Sequence, residues 1–85
     1  MSGAVEASAP RRGEVWQRLG APDDQVGSVN DPRTHDENGV RWNEKWVYLD
    51  DGSPARVVLW NRYDFVGVFR VCEDGSLEPE PRPDA

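Results

Sequence analysis

From Gly39 to Ser76 the chain runs through stretches rich in Val, Trp, Tyr and Phe, cut three times by turn-forming residues: Asp51-Gly52-Ser53-Pro54, Asn61-Arg62-Tyr63-Asp64 and Glu73-Asp74-Gly75-Ser76. Branched and aromatic side chains suit a pleated, half-buried surface, and short polar turns between them join neighbouring strands. The pattern predicts a mainly β fold, a small antiparallel β-meander of three to five strands. Strands are expected at Arg41 to Leu49, Ala55 to Trp60 and Phe65 to Val71, with a short one at the Asn38-Gly39 turn and a weaker one near Leu77.

Side chains alternate across a strand. Pairing Leu49 with Ala55 and Trp60 with Phe65 places Trp42, Glu44, Trp46, Tyr48, Arg56, Val58, Trp60, Phe65, Gly67 and Phe69 on one face. Lys45, Val47, Leu49, Ala55, Val57, Leu59, Val66 and Val68 take the other. A slip of one residue would exchange the faces. Both faces are apolar, which a bare three-stranded sheet in water does not tolerate. The covering layer is a helix, the sheet itself curled into an SH3-like or partly open barrel, or a second molecule. The narrower aliphatic face is expected to be the core.

Ahead of the sheet, Glu14, Val15, Trp16, Gln17, Arg18 and Leu19 give an acid first, apolar residues at helical spacing, a base late and Gly20 to close, the signature of one short N-terminal helix. A helix that brief must dock on something larger, through Trp16 and Leu19. Residues 21–38 carry Pro22, Asp23, Asp24, Gly27, Asn30, Asp31, Pro32 and Asp36 with few apolar residues between, and read as a long loop. Residues 1–12 read as a disordered lead-in. Residues 78–85 alternate proline with charge through Pro79, Pro81 and Pro83, and read as a disordered, solvated acidic tail. One small domain, 13–77, lies between.

Eighty-five residues sit near the size at which a single core is only just sufficient. Cys72 is the sole cysteine, so no disulfide forms within the chain and no cysteine zinc site can be assembled. The first ten residues show neither a secretory signal nor a membrane span, and a cytoplasmic protein is the expectation. Net charge is −6, which disfavours nucleic acid and anionic membranes. The acidity lies outside the sheet: 13–39 holds two basic and six acidic residues, whereas 40–72 holds five basic and four acidic.

The row Trp42, Trp46, Tyr48, Trp60 with Arg56 has the composition of a recognition surface. It also has the composition of a core, because large aromatics bury the most area in a small domain. Arg62 and Tyr63, in a tight turn, offer a further partner contact. His35 with Asp36 and Glu37 lacks the additional ligands a metal site needs, and Cys72 would need His35 brought to it as a base. No phosphate loop, nucleophile elbow or histidine pair occurs. No cofactor or metal is expected, and the chain reads as a non-enzymatic protein-interaction module, an accessory subunit or regulator. Its contact surface would be the aromatic sheet face and the acidic loop, with a partner protein or a second copy as the other side. The alternative is a small-molecule-binding domain in which Trp42, Trp46 and Trp60 line a pocket.

Overall fold

The computed structural model describes residues 10–37 and 39–80. The expectations for residues 1–9 and 81–85 as tails lie outside these residues. Among these described residues a single helix, α1 (Arg12–Leu19), opens the fold. Glu14 accepts a hydrogen bond from the Arg11 amide at 2.8 Å, and Gly20, at φ 85°, closes the last turn with its amide on Trp16 O at 2.7 Å. The helix docks through Val15, fully buried, with Leu19 half-buried and Trp16, though 42% exposed, meeting the Trp46 ring edge-on at 5.5 Å between centroids.

Seven strands follow: β1 (Asp24–Gly27), β2 (His35–Glu37), β3 (Val40–Trp42), β4 (Glu44–Asp50), β5 (Ser53–Asn61), β6 (Asp64–Val71) and β7 (Leu77–Glu80). Five of them form an antiparallel sheet in the order β1-β4-β5-β6-β7, and β2 pairs with β3 in a separate hairpin. The sheet is open, with β1 and β7 as edges, and does not close into a barrel. Its turns follow local chemistry. Asp51 (φ 52°) and Gly52 (φ 79°) both take the left-handed conformation that a two-residue hairpin with right-handed strand twist requires. At the β6–β7 turn, Gly75 (φ 87°) donates to Cys72 O at 2.9 Å and the Cys72 amide donates to Ser76 O at 2.8 Å.

The sheet has a core on each side. Under α1 lie Val15, Val29, Trp46, Val58, Trp60 and Val68, with Tyr48 and Phe65 against them. Beneath the β2–β3 hairpin lie Trp42, Val47, Val57, Leu59 and Phe69. The two apolar faces are therefore covered by two different pieces of the same chain.

Several expectations need correction. The run Arg41 to Leu49 is two strands, broken at Asn43, and the break sends Trp42 to the face opposite Trp46. Trp60 pairs with Phe65 as expected, but Leu59 pairs with Gly67, so Val66 is an extra residue in a bulge. The phase of β6 flips there, placing Val68 under the helix and Phe69 on the hairpin side. Leu49 pairs with Pro54, not Ala55. The segment 21–38 is not one loop, because β1 adds to β4 and β2 adds to β3. Arg12 belongs to α1, and 78–80 belongs to β7 rather than to a solvated tail.

Candidate functional site

The side chains singled out in the sequence separate into three places. Trp46 and Trp60 are buried beneath α1, with ring centroids 5.0 Å apart. Between these rings and the helix sits a carboxylate that is almost fully buried. Glu44 accepts from Trp46 Nε1 at 2.6 Å and from Arg12 Nη2 at 3.1 Å, and the Arg12 guanidinium lies 5.0 and 5.1 Å from the centroids of Trp46 and Trp60. A buried charge is tolerated only when paired and hydrogen-bonded. The pair thus locks α1 to the sheet. Trp42, on the other face, stacks on His35 at 4.4 Å, with Lys45 Nζ 4.8 Å from its ring. The three tryptophans are core on opposite sides of a sheet and do not share one pocket.

Arg62 and Tyr63 form the β5–β6 turn. Arg62 has φ 59°, a strained choice for a residue with a Cβ, and its environment holds it there. Its amide donates to Asn43 Oδ1 at 2.9 Å and its guanidinium donates to Asp31 O at 3.0 Å. Asn43, fully buried, also donates from Nδ2 to Arg33 O at 2.6 Å and to Asp31 O at 3.2 Å. One side chain therefore fastens the 31–33 segment to this turn. Tyr63 stands 66% exposed beside a groove of about 580 Å³ whose walls include Arg11, Arg12 and Phe65.

Tyr48 and Arg56 lie at the other end of the sheet, where it splits. The last pair joining β5 to β6 is Arg56 with Arg70, so Ser53, Pro54 and Ala55 continue beside β4 alone while Val71 continues beside β7. A bulge lies at the same place: Tyr48 pairs with Arg56 but Leu49 pairs with Pro54, leaving Ala55 extra, and Pro54 has no amide to give a neighbour. Two depressions of about 530 and 480 Å³ open here and share Ser53, Pro54 and Val71 in their walls. The first adds Tyr48, Leu49, Arg56 and Arg70; the second adds Cys72.

The charges in this cleft are arranged in opposition. Arg56 and Arg70 face each other across the β5–β6 ladder, a like-charge placement that repels. Carboxylates of β7 offset it: Arg56 Nε donates to Glu80 Oε1 at 2.7 Å, and Arg70 is paired with Glu78, which holds its guanidinium protonated more firmly than usual. Tyr48 donates its phenol proton to Gly20 O at 2.9 Å, and burial pushes its pKa up against the opposing charge of Arg56. Leu49, on the other face of β4 from Tyr48, is 43% exposed at the same end of the sheet. Both guanidiniums already engage carboxylates, so an anionic group can enter here only in competition with Glu78 and Glu80.

Of the seven residues, Trp46 and Trp60 meet in the core under α1, Tyr48 and Arg56 meet at one end of the sheet, Arg62 and Tyr63 share the turn at the other, and Trp42 stands apart on the opposite face. Leu49 and Arg70 do not stand out in the sequence because most of the segment that completes their surroundings, 78–80, reads there as tail. Asn43 and Glu44 left a usable signal: a poor strand former in a strand run, and an acid on an apolar face. Among the described residues, no group of three or more His, Cys, Asp or Glu side chains could hold a metal ion. No helix among them is long and apolar enough to cross a membrane. No protein-family model, curated protein or solved structure matches the chain.

Proposed function

We propose that this chain is a protein-interaction module, a small accessory or regulatory subunit, and that it receives a partner protein at the split end of the sheet. One observation carries the reading: at that end an exposed leucine, Leu49, and two arginines, Arg56 and Arg70, line one depression at the rim of the sheet, the leucine from one face and the arginines from the other. Arginine beside desolvated apolar surface is the pairing that most often dominates binding energy. The core tryptophans, expected from the sequence to form that surface, act at one remove by holding the strands that present it.

The test is affinity capture from the source cell with the full chain, alongside the charge-reversed double variant Arg56→Glu/Arg70→Glu. The expected result is a partner recovered in stoichiometric amount by the parent chain and lost with the variant, whose urea unfolding remains cooperative. Equal recovery by both chains, or no partner and a monodisperse monomer, contradicts the reading.

A further inference from the structure

We infer that β7 is a built-in stand-in for the partner, and that the site's ligand is an extended acidic segment which adds to the free edge of β6 once β7 leaves. The inference rests on the interaction reading and specifies its chemistry. It begins from the register: Val71 pairs with Leu77, Arg70 with Glu78, Phe69 with Pro79 and Val68 with Glu80. The Cys72 amide on Ser76 O marks a hydrogen-bonded pair. Antiparallel ladders alternate, so Arg70/Glu78 and Val68/Glu80 exchange hydrogen bonds while Phe69/Pro79 does not. The nitrogen of Pro79 therefore points away from β6, where a missing amide costs the ladder nothing.

Two consequences follow. Alternate residues of β7 face opposite ways: Glu78 and Glu80 reach the arginines, whereas Leu77 packs on the hairpin-side core. The edge of β6 thus reads an apolar residue followed by two acids at alternate positions, a code that a segment of another protein can carry. Second, β7 itself is a poor template for a further strand, because it is four residues long and Pro79 removes an outward donor. Strand addition on this side requires β7 to give way.

Its hold is partial: Glu80, its side chain 25% exposed, keeps a shielded bond to Arg56, and Leu77 touches the core, but the rest lies open to solvent. No residue of β7 is fully buried, and the side chains of Arg70 and Glu78 are both more than half exposed, so their ion pair is screened by solvent. Arg56 reaches from β5 past β6 to Glu80, so both guanidiniums aim at whatever strand occupies the edge.

The test uses the full chain with Glu78→Lys/Glu80→Lys, which turns the pairing into repulsion, and the milder Glu78→Gln/Glu80→Gln should the first fail to fold. The probe is the peptide Ser-Leu-Glu-Pro-Glu, blocked at both ends. Amide exchange of Val68 and Arg70 should accelerate at least about tenfold in the variant. The peptide should restore protection and shift the Arg56 and Arg70 side-chain resonances. It should bind the parent chain at least about tenfold more weakly, since a tethered strand competes at high effective concentration. A peptide with Gln for both Glu should fail. Unchanged exchange in both variants, binding of the Gln peptide as well as the Glu peptide, or strand exchange between two copies in place of peptide binding overturns the inference. If the peptide fails while capture still depends on Arg56 and Arg70, only this inference falls; if the peptide binds but nothing is captured, the interaction reading falls.

Discussion

Asn43 occupies the one position in the long Trp-rich run where the backbone must leave the sheet, and it does so without leaving a polar group unpaired. Its amide donates to Trp60 O at 2.7 Å, its carbonyl accepts from Ser28 N at 3.1 Å, and its side chain ties the 31–33 segment to the Arg62 turn. Replacing it with alanine removes three side-chain bonds at a buried site, at a cost of about 2–4 kcal/mol. Urea unfolding of Asn43→Ala should show that loss, and a change under 0.5 kcal/mol would mean the bonds are incidental. Tyr48 supplies a pH handle. Burial raises its pKa in the folded state, so its contribution is complete below the ordinary phenol value of 10.0 and lost as pH rises through the folded value. Ultraviolet difference titration of the parent against Tyr48→Phe should place the lost phenolate step above the ordinary value of 10.0. A lost step at or below that value contradicts the assignment.

At the scale of elements, the meander was legible because its determinants are local. Asp51-Gly52 selects its turn by itself, and the pairing of Trp60 with Phe65 follows from the two-residue Arg62-Tyr63 turn. The bulge that flips β6 is not local. It becomes visible only when Leu59 is matched with Gly67 across the ladder, and with it went the assignment of Val68 and Phe69. β1 was hidden for a different reason. All four of its residues are exposed, so it carries no apolar alternation and exists as a strand because β4 supplies its hydrogen bonds. Its end is fixed by Gly27 at φ 76°, where an added Cβ would lie 2.2 Å from Asn43 O. Gly27→Ala should destabilise by on the order of 2–3 kcal/mol and free the β1 amides to exchange. Retained protection of Val26, whose amide faces β4, would show that β1 tolerates the change. The candidate site was only half legible for the same reason as β1: Tyr48 and Arg56 stood out, but the edge strand that completes their surroundings has proline and charge where a pattern would be.

On the scale of the whole molecule, a chain this small has two cores by using both sides of one sheet, the helix over Trp46 and Trp60 and the β2–β3 hairpin over Trp42. Aromatic content could not tell core from contact surface, since the same residues serve both. The structure separates them: Trp42, Trp46 and Trp60 are each at most 5% exposed and Trp16 is 42% exposed. Acrylamide should therefore quench one tryptophan, and Trp16→Phe should remove the quenchable fraction. Quenching that persists in that variant would mean the cores open in solution. With Trp42, Trp46 and Trp60 internal, the proposed recognition surface is the split end and the edge of β6 that β7 covers. The measurement that tests this most directly is photo-crosslinking in the source cell from Leu49, compared with Tyr63 at the opposite end of the sheet. A single crosslinked partner from Leu49 and none from Tyr63 is the predicted result; crosslinks from Tyr63 alone would place the contact surface elsewhere and contradict it.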